Sequence, residues 1–381
     1  MRWLPRRVLD LLETSDREVP LCHADLMESW VEALRKLKIA FVRQDVFLDL
    51  YCADPRLSGP ELVRNSVQRT GPAGLLVDLQ ADYWILKEDS APECSVWMEK
   101  IANDPDPQPD AYRSQKDRPP RTNFSTTFAS HSVKADEVPW EDYDLVVSMD
   151  ISVPFRIISR TRRPLWAYLP GDPGVPTAKR SLREPPGNYN LSLSHGFRRY
   201  PVRPSLGPRT IEFPYTFLRQ STWKRVFPPD PGETRLGTMV ESHTDRLLGP
   251  AERAELSKLG PVRRPAGSIQ EVADSLNRSR FYFRCGGGPV IGNGIIEAAA
   301  AGCLAMGNPR EFVNRSLFTR STQCDERHVG IRKMQQFNLD QPRMEKLCAL
   351  QGALVDYFCF FRPARDILGM WTRLKKDKFP F

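Results

Sequence analysis

The chain has 381 residues, long for one hydrophobic core, so two domains are expected. Its 55 Lys and Arg against 47 Asp and Glu leave a formal charge of +8, which suits an anionic partner, although the basic residues are dispersed enough for an ordinary solvated surface. No apolar run is long enough for a transmembrane helix, the acidic residues Asp10 and Glu13 spoil the basic start as a signal peptide, and the eight cysteines show neither a C-x-x-C pair nor zinc-ligand spacing. The expectation is a cytoplasmic protein with free thiols, with attachment to a membrane surface left open by its charge.

Arg7–Leu12 reads as a strand followed by a polar loop from Glu13 to His23. Leu26, Met27, Trp30, Val31, Leu34 and Leu37 recur with helical period, and Ile39–Val42 is an apolar run fit for a buried parallel strand. Further strands are expected at Gly74–Asp78, Leu145–Ser148 and Leu165–Leu169. The proline-broken stretch from Asn103 to Thr126 reads as a long exposed loop. A second proline-rich stretch, Pro201–Pro231, is read as the boundary between domains, after which Arg235–Val240 starts a second sheet.

Ser268 and Glu271 have the spacing of a capping box, and the helix they open places Ile269, Val272, Ala273 and Leu276 on one face. A strand over Arg280–Arg284 and a helix over Ile295–Ala301 follow. Leu347, Leu350, Leu354, Tyr357, Phe358 and Phe361 form the apolar stripe of a C-terminal helix. Strand and helix alternate twice, which predicts an α/β protein of two Rossmann-like domains with mostly parallel sheets facing across a cleft. The expected division is 1–205, 206–340 and a helical segment 341–381 that crosses back to the first domain. Ligands of such sheets sit beyond the C-terminal ends of the strands.

The richest stretch is Cys285-Gly-Gly-Gly-Pro-Val-Ile-Gly-Asn-Gly-Ile-Ile-Glu297, followed by four alanines and Gly302. A buried strand that opens through glycines into a helix N-terminus offers free amides and a helix dipole to a phosphate. Glu297, one turn further on, is placed to accept ribose hydroxyls. Gly292-Asn-Gly294 begins a dinucleotide fingerprint, but Glu297 occupies the third glycine position and would obstruct close helix–strand packing. An NAD-dependent oxidoreductase is therefore the third reading, and a purely structural glycine loop also stays open.

Asn293-Gly-Ile-Ile-Glu297-Ala-Ala-Ala-Ala-Gly302 resembles the E-A-x-A-x-G nucleotide-sugar motif of the GT-B glycosyltransferases, and the capped helix and strand before it are similar to that family's approach to the motif. The clear resemblance covers residues 240–310. It implies a GT-B-like fold, Glu297 on the ribose of a nucleoside diphosphate, and the amides of Asn293 and Gly294 on the pyrophosphate. It also implies that the loop Glu241–Arg246 faces the cleft, with Arg246, and His243 second, as the basic group toward the diphosphate. Pro289 stands where retaining members carry a first glutamate and plant-type members a histidine, so retention or inversion stays open.

Arg284, at its strand end, is placed either to grip a phosphate bidentately or to point to water. His23, before a helix, is a candidate general base or a helix-packing residue; Asp150, after its strand, is a candidate catalytic carboxylate or an N-cap. No DxD-type metal motif stands at a strand end, so no metal and no cofactor are expected. The function implied is transfer of a sugar from a nucleotide-diphosphate sugar to an acceptor, itself open to being anionic: a glycan, a lipid-linked phosphate or a nucleic acid. The alternative from another class is a non-catalytic nucleotide- or nucleic-acid-binding protein of two α/β lobes.

Overall fold

The computed structural model describes residues 13, 24–44, 57–64, 71, 73–86, 132–149, 152–169, 189–194, 209–265, 268–288, 290 and 292–378. Among the described residues ten strands form two sheets, and every pairing between them is parallel. The first contains β1 (Ile39–Gln44), β2 (Asp82–Leu86), β3 (Leu145–Met149), β4 (Leu165–Leu169), β5 (Leu191–Ser194) and β6 (Thr210–Glu212), in the order β2-β1-β3-β4-β5-β6. The second contains β7 (Thr238–Val240), β8 (Val262–Arg263), β9 (Phe281–Arg284) and β10 (Leu304–Gly307), in the order β10-β9-β7-β8. These are the two Rossmann-like sheets of the α/β class expected from the alternation. The last strand of the first sheet, β6, lies beyond residue 205, inside the proline-rich stretch.

Side chains alternate across each sheet as the pleat requires. In the first sheet Phe41, Val147 and Ala167 enter the core shared with the second sheet, while Val42, Val146 and Trp166 enter a separate cluster on the far face. In the second, Met239, Tyr282 and Ala305 face the shared core, and Val240, Phe283 and Met306 the opposite one.

The helices that position these sheets are α1 (Ala24–Arg35), α2 (Ala73–Val77), α3 (Gln220–Val226), α4 (Ile269–Arg278), α5 (Asn293–Ala301), α6 (Arg327–Leu339), α7 (Gln341–Asp356) and α8 (Arg362–Lys378). Met27, Val31 and Leu34 of α1 are buried as its period predicts, whereas Leu26 falls off that line and is exposed. The capping box at Ser268 and Glu271 opens α4. Among the described residues no helix is long and apolar enough to cross a membrane.

Gly74–Asp78 corrects the sequence reading. It is not a strand but the buried helix α2 and the turn after it. A run of five apolar residues has no period that separates a buried strand from a buried helix. Tertiary contacts decide: Asp78, fully buried, accepts from Arg219 Nε at 3.0 Å and Nη2 at 2.8 Å, from Arg225 Nη2 at 3.1 Å, and from the Thr222 hydroxyl.

The C-terminal stripe is buried as expected, except for the half-buried Tyr357, but it is not one regular helix. Between α7 and α8 the residues Tyr357–Phe361 form a π-helical turn closed by Arg362 N–H on the Tyr357 carbonyl. Pro363 explains it: the proline has no N–H for the Cys359 carbonyl, and its ring crowds that oxygen in a regular helix. Beyond the turn α8 lies against the first sheet, with Arg362 on Glu212 at 2.6 Å and Trp371 Nε1 on the Asp144 carbonyl at 3.3 Å.

The segments Arg7–Leu12 and Asn103–Thr126 lie outside the described residues. Replacing Asp78 by alanine strands two guanidinium groups around a buried site. Asp78→Ala should destabilise the fold by about 3–5 kcal/mol, read from urea unfolding; a loss below about 1 kcal/mol would show that the cluster is not what holds α2 to α3.

Candidate nucleotide site at the switch point of the second sheet

β7 lies between β8 and β9, so successive connections leave it in opposite directions. Open α/β sheets bind ligands at such a reversal, beyond the strand ends. Here those ends are Val240–Glu241 and Arg284–Cys285. β1 lies likewise between β2 and β3 in the first sheet, and Asp150 follows β3 directly. Asp150 and His23 lie outside the described residues, and of the loop 13–23 only Glu13 is within them.

Glu241 caps the short helix Ser242–Leu247 by accepting from His243 N–H at 2.9 Å, and its carboxylate also pairs with Arg284 Nη1. Arg284 therefore does not point to water. Its side chain is 3% exposed, donates through Nη2 to the Gly288 carbonyl at 3.2 Å, and lies with Nε 3.8 Å from Glu311 Oε2. Two carboxylates already meet its charge, so it braces the glycine loop from inside rather than waiting free for a phosphate.

Glu311 Oε1 accepts from Gly286 N–H at 2.8 Å. Burial pushes its carboxyl above the ordinary range, against the pull of the Gly286 amide and Arg284, and Glu241 adds to the rise. Thr244 Oγ1 accepts from Cys285 N–H at 2.9 Å and fixes the start of the loop. Gly286, Gly287 and Gly288 have φ of +95°, +96° and +81°, a conformation that side chains rarely adopt. A Cβ on Gly287 would stand 2.7 Å from His243 Cβ, whereas one on Gly288 would meet nothing within 4 Å. The loop is thus closed against the protein at one glycine and open at the next.

The loop leads into α5. The first amides of a helix have no intrahelical acceptors, and here they belong to Asn293 and Gly294. Asn293 is 5% exposed, yet neither its Oδ1 nor its Nδ2 has a hydrogen-bond partner among the described residues. Glu297 lies one turn later on the same helix face, 5% exposed and already engaged within the protein. A Cβ on Gly294 would stand 2.5 Å from the Tyr282 hydroxyl, so the bare backbone lets α5 approach β9. Phe312 joins the two halves: its ring lies 5.8 Å from the Arg284 guanidinium and 2.8 Å from where a Cβ on Gly292 would be.

His243 and Arg246 are both exposed on the helix after β7, and Arg246 forms no ion pair among the described residues. The structure gathers Arg284, His243, Asn293, Gly294 and Glu297 along one stretch of strand end, loop and helix start. Sequence reasoning missed Glu241, Glu311 and Phe312 as parts of it. The available signal was position: Asn308–Phe312 follows β10, the strand beside β9, and strand-end loops of neighbouring parallel strands converge.

No protein-family model matches the chain, and no curated protein matches it in sequence. Solved structures are similar to it at a distance. A glycosyltransferase from Rickettsia africae is 9% identical over 89% of this chain and 99% of its own, with a TM-score of 0.45. T4 phage BGT in complex with its UDP-glucose substrate is 9% identical over 91% and 100%, at 0.43. Anabaena Alr3699/HepE in complex with UDP and glucose is 11% identical over 88% and 99%, also at 0.43.

Gly294→Ala should destabilise the protein by about 1–3 kcal/mol, the usual penalty for overpacking. Adding Tyr282→Phe, which removes the obstructing hydroxyl, should restore part of the loss. Thermal unfolding of both variants checks the pair, and a Gly294→Ala protein as stable as the parent would rule out the close approach.

Proposed function

We propose that this chain is a GT-B-type glycosyltransferase that moves a sugar from a nucleotide-diphosphate sugar to a hydroxyl acceptor. The observation that carries this reading is the buried, unpartnered Asn293 at the start of α5, one turn before Glu297, beside the switch point of a parallel sheet. A helix start with an unused polar side chain fits an anionic, hydrogen-bonding ligand. The glycosyltransferase resemblance of Asn293–Gly302 names that ligand.

In this reading residues 206–340 hold the donor, residues 1–205 the acceptor, and 341–381 return to the acceptor side. Glu297 accepts the ribose hydroxyls. The amides of Asn293 and Gly294 receive the pyrophosphate, and Arg246 and His243 meet its outer charge. Arg284 holds the glycine loop in shape. An acceptor oxygen forms a bond to the anomeric carbon while the bond from that carbon to the β-phosphate oxygen breaks. The nucleoside diphosphate leaves with the electron pair, and the acceptor proton passes to a base, His23 or Asp150. Helix amides and basic side chains stabilise the departing diphosphate without a metal. The formal charge of +8 fits an anionic acceptor.

A thermal-shift panel of UDP, GDP and ADP tests the site directly, because a ligand bound by the native state raises its apparent stability. Glu297→Gln should weaken binding of the nucleotide that responds by roughly 1.5–3 kcal/mol, the worth of a hydrogen bond to a charged group; unchanged affinity in the folded variant would remove the ribose role. Sugar transfer or donor hydrolysis should also survive excess EDTA. Loss on chelation with recovery on adding Mg²⁺ or Mn²⁺ would show that a metal takes part.

A further inference from the structure

Four polar atoms around the glycine loop have no hydrogen-bond partner among the described residues: Arg284 Nε, Glu311 Oε2, and Oδ1 and Nδ2 of Asn293. They come from three elements, the end of β9, the turn after β10 and the start of α5, and all three residues are buried. A buried polar atom without a partner is costly, so a cluster of them signals a ligand or a missing bridge.

The chemistry of the set is specific. It holds one donor on a guanidinium, one carboxylate oxygen, and an amide that both donates and accepts. A phosphate only accepts, so it cannot use the carboxylate or the amide oxygen. A sugar hydroxyl donates once and accepts up to twice, so a pair of hydroxyls supplies the two donations and the two acceptances that the four atoms need. The charge points the same way. Glu241 and Glu311 share one guanidinium, which leaves the cluster short of positive charge. The open space at Gly288, whose carbonyl Arg284 holds, gives a ligand room to stand beside it.

Resting on the nucleotide-sugar reading, we infer that Glu311 reads hydroxyls of the donor sugar and that the Glu241–Arg284–Glu311 cluster selects a neutral hexose against a uronic acid. A carboxylate on the sugar would meet two protein carboxylates across one cation, and like charges brought together away from water oppose binding. Glu311 would then be a specificity-determining residue, and not only a clamp on Gly286.

Calorimetric titration of the parent protein with UDP, UDP-glucose and UDP-glucuronate tests this; GDP, GDP-mannose and GDP-mannuronate replace them if UDP does not bind. The neutral sugar should bind at least about 10-fold tighter than its uronic acid, a difference of about 1.4 kcal/mol. In Glu311→Gln, whose carbonyl still accepts from Gly286, the affinity for the nucleoside diphosphate alone should stay within about threefold, while the preference between the two sugars should shrink to about threefold or less. A parent protein that binds both sugars equally overturns the proposal without any variant. So does a Glu311→Gln protein that loses affinity for diphosphate and both sugars alike, the signature of a clamp. ADP, ADP-glucose and ADP-glucuronate serve if only ADP binds; if none of UDP, GDP and ADP binds the parent, the nucleotide-sugar reading itself fails, and this inference falls with it.

Discussion

The buried carboxylate of Asp78 is the contact on which the joining of the two sheets depends. It follows α2 in the first α/β unit and accepts from Arg219, Thr222 and Arg225 in the segment that leads to the second. Arg219 in turn lies over the ring of Phe360, 4.6 Å from its centroid, in the π-helical turn where the C-terminal helices bend back. A fully buried carboxylate is costly unless charge and hydrogen bonds surround it, and this one is met from both sides. Three stretches far apart in sequence are therefore held at one point. The continuous core between the sheets packs around it.

A second buried side chain does similar work at the edge of the second sheet. Gln351 of α7 accepts from Ala305 N–H at 2.8 Å and donates to the Ala305 and Leu317 carbonyls at 2.9 and 3.1 Å. Its amide stands in for a further strand on β10, satisfying backbone groups that an open edge would leave bare. β10 is thereby fixed beside β9, and the turn carrying Glu311 and Phe312 is delivered to the glycine loop.

The site follows from that delivery. Glu241, Arg284 and Glu311 each end or follow a different strand, and they form one charged cluster under the loop. The loop is shaped by its own glycines and by bonds from Arg284 and Glu311 to its backbone. The groups not consumed in this bracing include the side chain of Asn293 and the exposed side chains of His243 and Arg246.

Local pattern alone determined much of this protein. The capping box at Ser268 and Glu271, the aromatic strand β9, the glycine exit and the alanine-rich α5 depend on neighbours within a few residues, so their chemistry is written in order along the chain. The buried strands β1, β3 and β4 lie in equally short apolar runs, but these are richer in β-branched and aromatic residues than Gly74–Val77, a composition that favours strand. Tertiary structure decided the rest. Gly74–Val77 is a helix because Asp78 is drawn to Arg219, 141 residues away, and no local period records that pull. Arg284 is braced rather than free because Glu241 and Glu311 reach it from the ends of other strands. Glu311 belongs to the site only because β10 pairs with β9 in register, an outcome of sheet order that no single segment contains.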